Sequence, residues 1–207
     1  MLRNYRTAFY NGQMGERSSR TPSERIGPEV LSAALEILDD EGPDGFTVRA
    51  IALRANVAPM AIYNHFDGLN GVLEALWIEG FEVFNEALTF HTNDATDDLH
   101  NAALGYRKFA LEHPGLYTVM FLGRFRNFLP SSAAIHVAYQ SFQTLVSNVE
   151  RCQKTGWFKD EPALDAAQVI WSACHGYVSL ELLGVNFAAN PDETFQLLLS
   201  TLRDGFS

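Results

Sequence analysis

Phe46–Phe66 reads FTVRAIALRANVAPMAIYNHF, and the fold follows from how that stretch is punctuated. Thr47 is a good N-cap, because its hydroxyl can accept a hydrogen bond from a free amide of the next helical turn. The spacing predicts a short helix over Val48–Ala55. Asn56 then tolerates the left-handed backbone that a tight interhelical turn requires. Val57 follows as an apolar plug, and Ala58–Asn64 forms a second short helix with Ile62 and Phe66 turned inward. Upstream, Pro28 suits a first helical turn, and Val30, Leu31, Ala34, Ile37 and Leu38 repeat at three- and four-residue intervals to make one apolar face. Gly42-Pro43-Asp44-Gly45 ends that helix. Two short helices joined by a tight turn and braced by a third make a helix-turn-helix. In such a unit the second short helix can lie in the DNA major groove while the first crosses the phosphates.

Downstream, Asp67-Gly68-Leu69-Asn70 reads as a further break, followed by a long amphipathic helix from about Gly71 to Thr89. Its stripe is Val72, Leu73, Leu76, Trp77, Phe81 and Phe84, and its length makes it a strut between a head and a body. Further helices are expected near 94–113, 114–122, 133–155, 161–186 and 192–204. His113-Pro114-Gly115, Leu129-Pro130-Ser131, Thr155-Gly156 with Pro162, and Asn190-Pro191 separate them. No run alternates as a strand would. The expected fold is all-α, with an N-terminal three-helix helix-turn-helix head joined by a long helix to a larger helical body.

Hydrophobic residues are 47% of the 207, enough for a sizeable core. Polar residues interrupt the longest apolar run, Val169–Leu183, so no membrane partner is expected, and MLRNYRTAFYNGQ lacks the apolar centre of a signal peptide. Both observations point to the cytoplasm. Cys152 and Cys174 have no C-x-x-C spacing and read as two reduced structural thiols. His91, His100, His113, His136 and His175 are scattered without metal-ligand spacing. There is no phosphate loop, nucleophile elbow or H-E-x-x-H, so neither enzyme, metal nor cofactor is expected. The net charge of −10 argues at first against a nucleic acid. Its distribution argues otherwise. Residues 1–27 carry five arginines against two glutamates, whereas residues 67–207 carry eight Lys/Arg against 17 Asp/Glu. A polyanion would be held by the front of the chain and repelled by the rest.

The residues Phe46-Thr47, Ile51-Ala52, Ala55, Val57 and above all Ile62-Tyr63-x-His65-Phe66, followed by a helix carrying Leu73, closely resemble the TetR/AcrR family of bacterial regulators. The resemblance is strong over residues 28–76 and implies a DNA-binding domain there, after a basic flexible arm at 1–27. It implies that Thr47 meets a phosphate at a helix N-terminus and that Tyr63 and His65 hydrogen-bond phosphates. Ala58, Pro59, Met60 and Asn64 would face the groove, with Asn64 the best reader of a base edge. Arg49 and Arg54 would add phosphate or base contacts. The plainer reading of Tyr63 and His65 is that they pack the head. The family usually carries a Lys where this chain has Leu69, so a phosphate contact is expected to be lost and the grip weakened. The arm with Arg17, Arg20 and Arg25 either compensates by entering a minor groove or is a tail of no consequence.

Within Ile170–Gly184, Trp171-x-x-x-His175-Gly176 with Leu180-Glu181 resembles the Trp-His-Gly subclass of that family's C-terminal domains, as does His113–Phe121. The resemblance implies that residues 77–207 are a ligand-binding and dimerisation domain. Tyr106, Phe109, Tyr117, Met120, Phe121, Phe125, Tyr139, Phe142, Trp171 and His175, with Phe128 beside them, would suit a lipophilic or aromatic small-molecule effector. The competing reading of these aromatics is ordinary core, and of His175 a satisfied structural histidine. Arg124 and Arg126 either pair an effector carboxylate or belong to a solvated loop. Leu164, Ala167, Val178, Leu182, Phe195, Leu198, Leu199 and Leu202 give the helices near 161–186 and 192–204 more apolar surface than a peripheral pair needs. The resemblance implies a homodimer through them, binding a palindromic double-stranded DNA operator as a repressor that the effector releases. The alternative is a helical protein-interaction module whose DNA binding has degenerated.

Overall fold

The structure, a computed structural model, describes residues 23–123, 125, 128–158 and 161–206. All the regular elements among them are helical: α1 Ile26–Asp40, α2 Val48–Arg54, α3 Pro59–Phe66, α4 Leu69–Leu88, α5 Ala95–Glu112, α6 Pro114–Tyr117, α7 Ser132–Gln153, α8 Ala163–Leu182 and α9 Pro191–Gly205. The chain divides into two units. One takes the described residues through Glu79 together with Gly115–Ser131, and the other takes Gly80–Pro114 and the described residues from Ser132 onward. The proposed arm falls almost wholly outside the described residues, as do Arg17, Arg20, Arg124 and Arg126. Arg25 is described and pairs with Glu29 on α1.

In the first unit the expected apolar repeat of α1 is buried at Val30, Ala34, Ile37 and Leu38, with Leu31 half-buried and Ala33 joining the buried face instead. The helix starts two residues before Pro28, which still lies in its first turn. Gly42, at φ +69°, turns the chain out of α1, and Gly42–Gly45 winds one further helical turn. Thr47 caps α2 as expected, its Oγ1 accepting from the Ala50 amide at 3.1 Å. Asn56 holds the left-handed conformation at φ +54°, and the Val57 amide returns to the Ala52 carbonyl at 3.0 Å. Val57 itself is half-buried rather than a full core plug. Helix α3 runs two residues beyond Asn64, to Phe66. The following break is shorter than expected. Asp67 (φ +56°) and Gly68 (φ +92°) make the whole turn, and Leu69 and Asn70 already belong to α4.

Gly115–Ser131 also packs with this head. Gly115 donates its amide to Asp39 Oδ1 at 3.0 Å, and the Phe125 ring meets Phe46 edge-on at 5.4 Å. The Ser131 amide bonds Glu74 at 3.1 Å, and Phe128 lies 6.1 Å from Trp77. The expected helix near 114–122 is a single α turn, α6, followed by a π-helical turn at Thr118–Leu122.

The second unit is built on α5, α7, α8 and α9, with the last turns of α4. Asp94 caps α5, accepting from the amides of Thr96 and Asp97 at 2.8 and 3.2 Å. Asp98 is wholly buried, yet it accepts from the Thr92 amide at 2.9 Å and from Arg151 at 2.7 Å. Burial raises its pKa, but these hydrogen bonds and the Arg151 charge outweigh that, and the net shift is downward. Arg107 on α5 forks onto both carboxylate oxygens of Glu181 (2.8 and 2.7 Å) and reaches Asp192 at 2.7 Å, while lying over the Phe195 ring. One guanidinium thus ties α5 to the end of α8 and the start of α9. Cys152 and Cys174 are both buried, which pushes their thiols up to about 11 and about 12, so they stay protonated at neutral pH.

Candidate nucleic-acid interface

Helix α3 has one buried anchor and a broad exposed face. Ile62 is fully buried against the head, while Pro59, Met60, Tyr63, Asn64 and His65 are exposed. Met60 is 64% and Tyr63 53% exposed, so the reading in which Tyr63 and His65 fill the core is not what the structure holds. Ala58 is half-buried at the N-cap, with Pro59 opening the first turn without needing an amide partner. Tyr63 is not loose, because Gly68 packs against it: a Cβ at Gly68 would stand 3.2 Å from the ring.

Thr47 is exposed at the start of α2, with the hydroxyl engaged in the cap. Arg49, two residues on, is also exposed. Arg54 is placed differently. Its guanidinium is held by Glu36 at 3.4 Å and Asp40 at 3.2 Å on α1, and by Glu41 at 3.1 Å. The hydrogen bond to Asp40 is the largest influence and raises its pKa; burial opposes it, and the hydrogen bond and charge of Glu36 add to the rise, so the net shift is upward. A side chain shared by three carboxylates braces α2 on α1, and a phosphate would have to compete with all three.

The sequence-predicted effector residues fall in both units. Tyr117, Met120, Phe121 and Phe125 belong to the first unit, where Tyr117 and Met120 are buried and Tyr117 stacks obliquely on Phe121 at 4.9 Å. Tyr106, Phe109, Tyr139, Phe142, Trp171 and His175 belong to the second. There the Tyr106 hydroxyl lies 3.0 Å from His175 Nδ1, and Ser179 Oγ lies 3.5 Å from Nε2. Trp171 sits 5.9 Å from His175 and 5.8 Å from Phe142. Tyr139 is 57% exposed. Burial lowers the His175 pKa, so its imidazole is neutral at pH 7. Phe84, which sequence reasoning took only as part of the α4 stripe, is the hub of the cluster, 5.3 Å from Tyr106 and 5.1 Å from Phe109.

The family model for bacterial regulatory proteins of the tetR family matches residues 30–76, and a model for the tetracyclin repressor-like C-terminal domain matches residues 99–202. The chain belongs to the TetR family. As a TetR-family protein it is a transcription regulator with an N-terminal helix-turn-helix. The HTH-type transcriptional regulator YobS of Bacillus subtilis (strain 168) is 28% identical over 171 residues, covering 76% of this chain and 81% of that protein. The regulator Rv0681 of Mycobacterium tuberculosis is 29% identical over 201 residues, covering 91% and 85%. A Rhodococcus sp. RHA1 protein of unknown function shares the fold at a TM-score of 0.76 and 24% identity, over 93% of this chain and 99% of its own. A TetR variant from Acinetobacter baumannii AYE, solved with minocycline, shares it at a TM-score of 0.60 and 23% identity, over 86% and 93%. No helix among the described residues is long and apolar enough to cross a membrane. No group of three His, Cys, Asp or Glu among them could hold a metal.

Proposed function

We propose that this regulator is a homodimeric repressor of a palindromic operator, released by a small molecule bound in its second unit. The observation that carries the DNA reading is the exposed face of α3. Thr47, Tyr63 and His65 are the proposed phosphate contacts and Asn64 the base reader. Ala58, Pro59 and Met60 line the groove side, with Arg49 adding charge. Arg54 is reassigned to bracing α2. Residues 28–76 act as the DNA-binding domain and 77–207 as the ligand-binding and dimerisation domain. For the effector, the ring cluster around Phe84, Tyr106, Phe142, Trp171 and His175 favours an uncharged aromatic molecule. Tyr106, His175 and Ser179 are the polar groups within that cluster. Trp171, His175 and Gly176 on α8 support the Trp-His-Gly subclass. We place the protein in the cytoplasm and assign it no catalysis.

Because α4 contributes residues to both units, a change in its second half on effector binding would be felt by Val72 and Leu73 beneath the head. Effector and operator would then oppose each other, and the coupling is reciprocal. The test is binding of the full chain to DNA from its own promoter region at several salt concentrations. Wild type should bind that DNA in preference to unrelated duplex, with affinity falling steeply as salt rises. Asn64→Ala should lose about 1–3 kcal/mol of that preference, whereas Tyr63→Phe should weaken both DNAs alike. Equal, salt-insensitive binding to both DNAs would instead support the protein-interaction module.

A further inference from the structure

The outward face of α3 is narrow, and its chemistry is restricted. Ile62 is fully buried and fixes which side of the helix faces the head. At about 100° per residue, Met60 and Asn64 each lie about 160° round the helix from Ile62, on either side of its back. The two are one turn apart and form a single ridge directed away from the head, with Met60 64% exposed and Asn64 exposed beside it. Tyr63 and His65, the proposed phosphate contacts, fall on the two flanks of that ridge and are exposed as well. Ridge to bases and flanks to the two phosphate walls is the arrangement a helix in a major groove requires.

Each base pair shows a different edge to that ridge. Guanine presents two acceptors and is read by the donors of Arg or Lys, whereas cytosine presents a donor and is read by a carboxylate. Helix α3 reads PMAIYNHF and contains neither Arg, Lys, Asp nor Glu. Across residues 26–76 the Lys and Arg are Arg49 and Arg54 alone. Arg49 stands on α2, the helix that crosses the phosphates in a helix-turn-helix, and Arg54 is shared by Glu36, Asp40 and Glu41. The ridge instead offers one amide and one uncharged apolar chain. The amide matches the donor and acceptor of adenine at N6 and N7, and the apolar chain matches the C5 methyl of thymine. Set on guanine, the same amide would leave its carbonyl facing an acceptor, a buried polar group without a partner.

We infer that the half-site read by this helix is built on A·T pairs, with Asn64 on the N6 and N7 edge of an adenine and Met60 covering the methyl of a thymine about two base pairs away. One helical turn rises about 6 Å over four residues, against about 3.4 Å for each base-pair step. The inference rests on the DNA-binding reading above and adds the identity of the bases. The full chain is used to select from duplexes with a randomised core, and the selection is repeated with Asn64→Ala and Met60→Ala, both changes at exposed positions. The expected survivors are palindromes, and the positions whose preference the two variants relax should be A·T pairs about two steps apart. G·C at those positions overturns the inference and leaves the repressor reading standing, whereas a library that enriches no sequence overturns both. Two changes made in the selected DNA then test the wild-type protein directly. Replacing the contacted adenine by 7-deazaadenine should weaken binding about tenfold, because the amide donor loses its acceptor. Replacing the contacted thymidine by deoxyuridine removes one methyl and should weaken binding about fourfold. Asn64→Ala should be indifferent to the first change and Met60→Ala to the second. Arg49→Ala should weaken all duplexes alike and leave their ranking unchanged. The inference is overturned if wild type binds the deoxyuridine or the 7-deazaadenine duplex as tightly as the parent, or if Arg49→Ala alters the ranking.

Discussion

His175 shows how far a single side chain can be interpreted. Burial lowers its pKa, and Tyr106 and Ser179 stand at its two ring nitrogens. A folded-state pKa below the ordinary value of about 6.5 means that the unfolded chain takes up a proton before the folded one does. Its contribution to stability is therefore complete above the unfolded pKa and is lost as pH falls from there toward the folded pKa. Urea unfolding of the full chain at pH 7.5, 6.5 and 5.5 should show stability falling with pH, and the fall should be shallower in His175→Gln. An identical slope in the variant would mean that His175 titrates normally. Arg54 carries the opposite lesson. From sequence it is a cation on a DNA-binding helix, and nothing local distinguishes it from Arg49. Only the return of α1 beneath α2 brings Glu36, Asp40 and Glu41 to it.

At the scale of helices, punctuation was the legible part. Thr47, Asn56 and the breaks at Gly42 and Gly156 stand where capping and left-handed backbone require them. The helix ends that differed did so because a turn needs fewer residues than a polar-looking stretch suggests. Asp67 and Gly68 suffice, so α4 gains Leu69 and Asn70. The packing of Gly115–Ser131 with the head was not legible, since no periodicity signals which distant helix a loop will join. Neither was Arg107 as a three-helix clamp, although a lone cation on an apolar α5 face was a signal that could have been followed. Helix contact also explains Gly71. A Cβ there would collide with the Phe66 carbonyl, backbone that cannot swing aside. Gly71→Ala should push α3 off its seat and cost about 2–4 kcal/mol by overpacking. Gly27→Ala, whose Cβ meets nothing within 4 Å, is the matched control. Thermal melts of the two should separate clearly, with operator affinity falling along with stability in the first. If Gly71→Ala melts with wild type, α3 and α4 do not approach as closely as described.

For the whole molecule, the open matter is what covers α8 and α9. Part of the apolar surface that suggested a dimer is internal: Ala167, Val178, Phe195 and Leu199 are buried within one protomer. What remains outside is a different set. Leu164, Val169, Leu180 and Leu183 stand exposed on and just after α8, followed by Val185 and Phe187, which is 95% exposed, and by Leu197 on α9. Val169, Ser172, Gly176, Leu180 and Leu183 recur at three- and four-residue steps, so they form one stripe along the helix. At its middle, a Cβ on Gly176 would meet nothing within 4 Å. In an isolated protomer, replacing an exposed helical glycine by a larger residue should be harmless or stabilising, by up to about 1 kcal/mol. In a dimer seam the same change would hold two helices apart. Gly176→Leu therefore separates the cases. If the stripe is the seam, sedimentation should show a monomer whose helix content is unchanged. Operator affinity should collapse, because a lone head reaches only one half-site. A Gly176→Leu protein that sediments and binds DNA as wild type does would move the dimer contact off this stripe.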